Sequence, residues 1–386
     1  MPRTIAVVTT SRADYSHLYW PLRDLASHPE INLQLIALGP HLSPEFGHTV
    51  RQIEKDGFSI HSRIECLLSS DSDVGMAKTI GLATLSLADC LGQMRPDILL
   101  IIADRYEMLA PAMVAVALRI PIAHIEGGEI SEGAIDDSIR NALTKLSHVH
   151  FTSTEAARAR VIAFGEEPWR VHRVGSPSLD HLRRSGLKAP DQLESELGVD
   201  LGVPFSLVGY HPVTIARDTT RETTALFEAL RTTAIRPFFC YPNADAGSRS
   251  LIERTRAFCQ TRPDSKIFIN LDPITYWSLL RNAHLLIGNS SSGIMEAASF
   301  ATPVVNVGIR QQGRERGRNV LDAPADAAAI LENINIAASK EFRGGLSGMK
   351  NPYGEGCASE QIVSFLSAVP LGESLFMKRS SSEFAY

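Results

Sequence analysis

The densest chemistry in this chain lies where apolar runs end. The run ILLIIA (98–103) is followed by Asp104 and Arg105, a carboxylate and a guanidinium released together at what reads as a strand mouth. Such a pair serves either as a structural ion pair or as a proton-transfer acid beside a phosphate clamp. The run IPIAHIE (120–126) leads into HIEGGEISEGAIDDSIR (124–140), which holds one histidine, five carboxylates and Arg140. Asp136 and Asp137 suit the first turn of a helix, where the dipole favours negative charge. Glu126 terminates an apolar strand, and Gly127–Gly128 lets backbone approach a ligand closely. Asp104, Glu126 and Asp136 brought near one another would push their pKa values apart, the condition for acid/base work.

Other strand ends carry anion chemistry. SRADYSH (11–17) follows the first apolar run; Arg12 offers a guanidinium fork for phosphate and Ser16 a hydroxyl near a helix start, though an N-cap beside a solvated arginine reads equally well. LLIGNSSSGIMEAASF (285–300) reads as strand, Asn-Ser-Ser-Ser-Gly, then helix, so that hydroxyls and free N–H groups can face an anion. Ser290 and Ser291 open that helix, and Glu296 lies on its first turns, suited to ribose hydroxyls. GIRQQGRERGRN (308–319) brings four arginines, of which Arg310 could close over a diphosphate. GYHPVT (209–214) sets His211 on a rigid turn before proline. YPNADAGS (241–248) contributes Asn243, Asp245 and Ser248.

The absences narrow the chemistry. There is no GxxxxGK[ST], no GxGxxG after the first run, and no HExxH or Cys/His ligand cluster, so neither a dinucleotide cofactor nor a metal is indicated. Asp71-Ser72-Asp73 has the spacing of a metal-binding DxD but falls in an acidic, serine-rich stretch, and reads as solvated. The five cysteines are odd in number and lack CxxC, which fits a reducing cytoplasm rather than a disulfide framework. The net charge of -5 argues against a nucleic-acid-coating protein. No stretch of about 18 apolar residues is evident, so no membrane span is expected. The N-terminal MPRTIAVVTT reads as a first strand rather than a signal peptide.

These residues need a scaffold. The 386 residues favour two domains. Short apolar runs at 5–10, 33–39, 98–103, 120–126, 148–154 and 171–175 alternate with helical stretches. The pattern repeats at 205–210, 236–241, 266–270, 284–289 and 302–308. Near-continuous apolar strands separated by helices predict parallel sheets covered on both faces. The expected fold class is therefore α/β, with two Rossmann-like doubly wound domains facing a cleft. The expected boundaries are residues 1–180 for the first domain, 181–203 for a linker, 204–368 for the second domain and 369–386 for a polar, fraying tail. Residues 62–76 read as a loop.

The ordered set SRADYS, GPHLSPEFG, DRYEM, HIEGGE, DDSIR, TKLSH, GSPSLD, HPVT, PNADAGS, GNSSSGIMEA and RQQGRERGRN resembles the hydrolysing UDP-N-acetylglucosamine 2-epimerase family, from about residue 3 to about residue 325. The resemblance implies a glycosyltransferase-B-like fold, with the nucleotide held mainly by the second domain and the sugar facing the first. It implies nucleotide-sugar contacts at Arg12, Ser16, Arg105, His211, Asn243, Asp245, Ser290, Ser291, Glu296 and Arg310. It implies acidic catalytic groups at Asp104, Glu126 and Asp136, histidines near them at His41 and His124, and a further role for His211 beside the departing diphosphate. One departure is visible: Ala103 stands where family members commonly have glycine.

The chemistry so implied turns UDP-GlcNAc and water into UDP and N-acetylmannosamine. A carboxylate takes the C2 proton as UDP leaves C1, giving a 2-acetamidoglucal; water then adds at C1 while an acid protonates C2 from the other face. No cofactor is required. The implied partners are the UDP-sugar and UDP, no nucleic acid, no membrane, and a second or fourth copy of the chain. Alternatives stay open: UDP- or GDP-2,4-diacetamido-2,4,6-trideoxyglucose as substrate, GDP-GlcNAc, a non-hydrolysing epimerase, a glycosyltransferase, or a non-catalytic sensor.

Overall fold

The computed structural model describes residues 2–68, 72–132, 135–211, 222–241, 248–269 and 271–379. The chain divides into two compact units. The first comprises Met1–Glu129, Asp136–Asp180 and Gly356–Tyr386, and the second Ile130–Ile135 and His181–Glu355.

The first unit is built on seven strands: β1 (Arg3–Thr9), β2 (Ile31–Leu38), β3 (Ile60–Ile64), β4 (Ile98–Ile102), β5 (Ile122–Ile125), β6 (Val149–Thr152) and β7 (Val171–Arg173). They lie in the order 3-2-1-4-5-6-7, and every pairing is parallel. The second unit has six: β8 (Phe205–Gly209), β9 (Arg236–Tyr241), β10 (Lys266–Ile269), β11 (Leu285–Gly288), β12 (Val304–Val307) and β13 (Val320–Ala323). Their order is 10-9-8-11-12-13, again all parallel. Both are doubly wound sheets of the Rossmann kind. Central strands such as β4, ILLII, are buried at every residue, because helices cover both faces.

In each unit the winding reverses between two central strands. In the first these are β1 and β4, and in the second β8 and β11. Ligands of such sheets bind outside the carboxyl ends of strands at that switch point. Those ends are Thr9–Arg12 with Ala103–Arg105, and Gly209–His211 with Gly288–Ser290.

The structure departs from the sequence reading in several places. β3 opens the stretch read as a loop at 62–76, and a helix begins at Asp73. Ser72 caps that helix, accepting Gly75 N–H at 3.1 Å, and Asp73 accepts Val74 N–H, so these two residues of the Asp-Ser-Asp triplet shape a helix start. Asp71 lies outside the described residues. The helix Asp73–Met94 is long and apolar enough to cross a bilayer by length and composition, contrary to the expectation of no such stretch. It nevertheless buries a stripe of Gly75, Thr79, Ala83, Leu87 and Leu91, four residues apart, of which the last three join the first unit's core.

The stretch 181–203, expected as a linker, is packed. The helix Pro190–Leu197 buries Leu193 in a core with Phe205, Trp277 and Leu280. The helix Ala358–Ala368, assigned by sequence to the second domain, belongs to the first unit. Ile362 and Leu366 fill its core, and Asp180 caps the helix by accepting Ala358 and Ser359 N–H at 2.9 and 2.8 Å. An amphipathic helix announces that it needs a core without saying which.

The tail does not fray where it is described. Arg170, fully buried, donates to the carbonyls of Ser374, Leu375 and Met377 at 2.9, 2.7 and 2.8 Å. Lys378 pairs with buried Glu166 at 2.8 Å and donates to Ser147 O at 2.7 Å.

Candidate active site

At the switch point of the first unit, Ser11 caps the helix Arg12–Ser27 that follows β1. Arg12 is half-buried in its first turn, and Ser16 donates to Ala13 O of the same helix at 2.8 Å. Inside that turn Asp14 is buried and accepts both the N–H and the hydroxyl of Thr10. Burial pushes its carboxyl up to about 6, partly offset by the nearby Arg105 guanidinium. Arg105 is aimed by Glu107, a fully buried carboxylate that accepts its Nη2 and Nε at 2.8 and 3.2 Å.

Asp104 pairs with Nη2 of buried Arg140. Arg140 also donates to Glu129 O at 2.9 Å and to Asp137 at 3.3 Å. Its charge is held by these anions, which outweigh the burial opposing it. Asp136 opens the helix Asp136–Leu146, one turn before Arg140. The strand ends themselves are bent: Ala103 after β4 and Glu126 after β5 both adopt left-handed backbone, φ 56° and 64°. Such a conformation costs a non-glycine residue about 1–2 kcal/mol. Ala103 therefore holds, at a strain, a backbone conformation that glycine would adopt freely.

Glu126 is gripped from two directions. Its Oε1 accepts Ser176 Oγ at 2.8 Å and His17 Nδ1 at 2.9 Å. His41 and His124, expected near a ligand, are fully buried with their rings engaged by protein. His41 lies between the hydroxyls of Thr9 and Thr49 at 2.9 and 2.8 Å, and burial with Arg105 nearby lowers it to about 3. His124 meets Ala103 O at 2.8 Å and Thr144 Oγ1 at 3.5 Å, and burial lowers it to about 4. As neutral rings they tie down the strand ends rather than presenting a nitrogen to a ligand.

The second unit's switch point is organised by Asn289. Its backbone N–H and that of Ser290 both donate to Gly209 O, at 3.0 and 3.1 Å. That approach requires Gly288, with φ 132°: a Cβ there would lie 2.2 Å from Gly209 O. The Asn289 side chain accepts His211 N–H at 2.7 Å and donates to His211 O at 2.8 Å. Its carbonyl accepts Arg310 Nη1 at 3.0 Å and Gln311 Nε2 at 2.9 Å. Ser290 caps the short helix Ser291–Met295, and Glu296, buried, closes it. His211, Ser290, Ser291 and Arg310 are thus gathered at one strand mouth. Asn243 and Asp245 lie outside the described residues, as does the remainder of HPVT.

Sequence reading missed Asp14, His17, Ser176 and Asn289. Asp14 and His17 share a helical face at spacing three within the flagged SRADYSH, which is a usable signal. Nothing local marks Ser176 as a partner of Glu126, 50 residues away.

Residues 23–367 match the family described as UDP-N-acetylglucosamine 2-epimerase, and the chain belongs to that family. It is 36% identical to a UDP-N,N'-diacetylbacillosamine 2-epimerase (hydrolyzing) of Legionella pneumophila, over 98% of this chain and 99% of that one. It is 37% identical to a GDP/UDP-N,N'-diacetylbacillosamine 2-epimerase (hydrolyzing) of Campylobacter jejuni, over 88% and 89%. A UDP-N-acetylglucosamine 2-epimerase of Neisseria meningitidis is 30% identical over 87% and 88%. Among solved structures, UDP-GlcNAc 2-epimerase of Methanocaldococcus jannaschii in complex with UDP-GlcNAc and UDP superposes with a TM-score of 0.78 at 18% identity, over 95% of this chain and 100% of that one. The glycosyltransferase-B-like fold expected from sequence is the fold of these neighbours.

Proposed function

We propose that this chain hydrolyses and epimerises UDP-2,4-diacetamido-2,4,6-trideoxyglucose (UDP-N,N'-diacetylbacillosamine), releasing UDP and the free 2-epimeric sugar. The observation that carries the choice of sugar is the similarity of 36–37% to two enzymes named for that activity, in one case over 98% of this chain. A second reading, UDP-GlcNAc to N-acetylmannosamine, rests on the 30% identity to the Neisseria relative.

The site suits an elimination followed by hydration. A carboxylate of the set Asp104, Glu126 and Asp136 takes the C2 proton as the C1–O bond to UDP breaks, leaving a glycal. Water then adds its oxygen to C1, and a proton delivered to C2 from the opposite face completes the epimer. In this reading Arg12, Arg105, Arg310, His211, Ser290 and Ser291 receive the diphosphate. Asn243, Asp245 and Glu296 attend the nucleoside, with Ser16 beside the sugar nucleotide.

We assign the protein to the cytoplasm, on the support of five free thiols. We assign it a homo-oligomeric state, on the support of the apolar face left by Val74, Leu82 and Leu85 on the helix Asp73–Met94 beside Met113 and Val116 on Leu109–Leu118, which a second copy would cover.

Proton NMR in heavy water tests the reaction, with the UDP and GDP forms of the trideoxy sugar and UDP-GlcNAc as parallel substrates. Free trideoxy epimer deuterated at C2, with nucleoside diphosphate, is the expected outcome. Turnover of UDP-GlcNAc alone moves the assignment to N-acetylmannosamine, and turnover of none refutes the enzymatic reading.

A further inference from the structure

The two carboxylates at the ends of β4 and β5 have partners of different kinds. Asp104 faces Arg140, a guanidinium that does not release its proton at any working pH. Glu126 faces His17, an imidazole whose Nδ1 lies 2.9 Å from its carboxylate. The carboxylate of Glu126 is nearly buried and the ring of His17 more open, with 9% and 22% of the side chains exposed. A carboxylate has no hydrogen to give when ionised, so the ring nitrogen 2.9 Å away is the donor, and His17 holds its hydrogen on Nδ1. Ser176 Oγ donates to the same oxygen at 2.8 Å. Both bonds fall on Oε1.

We propose that His17 is a positioning residue for Glu126: with Ser176 it holds Oε1 and fixes the carboxylate's rotation. The backbone at Glu126 is also strained, with φ 64°, and its N–H is tied to Phe151 O at 2.8 Å, so side chain and backbone are both held by their surroundings. The helix Arg12–Ser27 supplies His17 and the turn after β7 supplies Ser176, so two separate elements define one oxygen. This inference rests on the reading of Glu126 as a proton-transfer group.

The test compares His17→Asn, His17→Gln and His17→Ala. The amide nitrogen of Asn occupies nearly the place of Nδ1, whereas that of Gln reaches past it. His17→Ala and His17→Gln are expected to lose about 100-fold in kcat with KM within about threefold, the loss a misplaced reacting group causes. His17→Asn is expected to retain kcat within about tenfold of the parent. Equal loss in all three variants, a change in KM alone, or no loss overturns the proposal. A second readout needs no turnover: with 15N-labelled histidine, the His17 Nδ1–H signal is identified by its absence in His17→Asn and is expected to shift in Glu126→Gln. No shift there also overturns it. Should the parent turn over none of the sugars, the proposed function fails while the nitrogen signal still decides the pairing.

Discussion

Asn289 holds His211 by both of its backbone polar groups, accepting the N–H at 2.7 Å and donating to the carbonyl at 2.8 Å. A side-chain amide has one acceptor and one donor end, so no other residue of this size reproduces the pair. Because Arg310 and Gln311 bind the backbone carbonyl of the same residue, Asn289 positions two segments at once, that of His211 and that of Arg310. Asn289→Ala is expected to weaken UDP binding about tenfold by calorimetry, as two part-buried backbone groups lose partners. Asn289→Asp, which lacks the donor, should fall between. Unchanged UDP affinity in Asn289→Ala would detach this cluster from nucleotide binding.

Glu126→Gln keeps the shape of the side chain and removes its basicity. Turnover is expected to drop by about 100- to 10,000-fold while UDP binds as before. Loss of UDP affinity instead would make Glu126 part of the ligand clamp rather than the proton-transfer set.

Arg140 is buried with Asp104, Asp137 and the Glu129 carbonyl around it. Removing the guanidinium leaves Asp104 and Asp137 without their counter-charge, and because both carboxylates are partly exposed the cost is about 1–3 kcal/mol. Arg140→Met is therefore expected to lower the urea midpoint strongly, and the double variant Arg140→Met with Asp104→Asn to recover part of the loss. Simple additivity of the two changes would mean that the pair is uncoupled.

Two histidines predict an acid limb. His41 and His124 sit at about 3 and 4, below the ordinary 6.5, because burial disfavours their charged forms. The unfolded chain takes up these protons as pH falls below 6.5, and the folded chain resists. The stability they contribute is complete above 6.5 and is lost as pH falls toward 4 for His124 and toward 3 for His41. For His124 the full swing is about 3 kcal/mol. His124→Gln should show a shallower fall of the urea midpoint between pH 6.5 and 4 than the parent. Parallel curves would mean that His124 is protonated in the folded protein.

The central strands were readable because burial on both faces leaves uninterrupted apolar runs, as in ILLII of β4. The two strands that escaped, β3 and β13, are incompletely buried, and the polar residues in IHSRI and VLDA dilute the apolar signal. Residue types at the site were legible; their duties were not. His41 and His124 look like ligand histidines until burial and their partners, two threonines for His41 and Thr144 with the Ala103 carbonyl for His124, turn them into braces. Asp14 looks like an ordinary helix-start acid until its burial is known. His17 acquires its meaning only from Glu126, 109 residues away.

The first unit begins with β1 yet lacks its closing helix until Ala358–Ala368 has been made, and its Arg170 clasp until Met377. During synthesis, at about 5–20 residues per second, the later unit has all of its residues while the earlier one still waits for its last. A chain cut after Glu355 would therefore carry every residue of the second unit and a first unit with an open seam along the helix Arg12–Ser27. Chaperone demand should concentrate on that seam, and released chains that extend past Met377 should lose it.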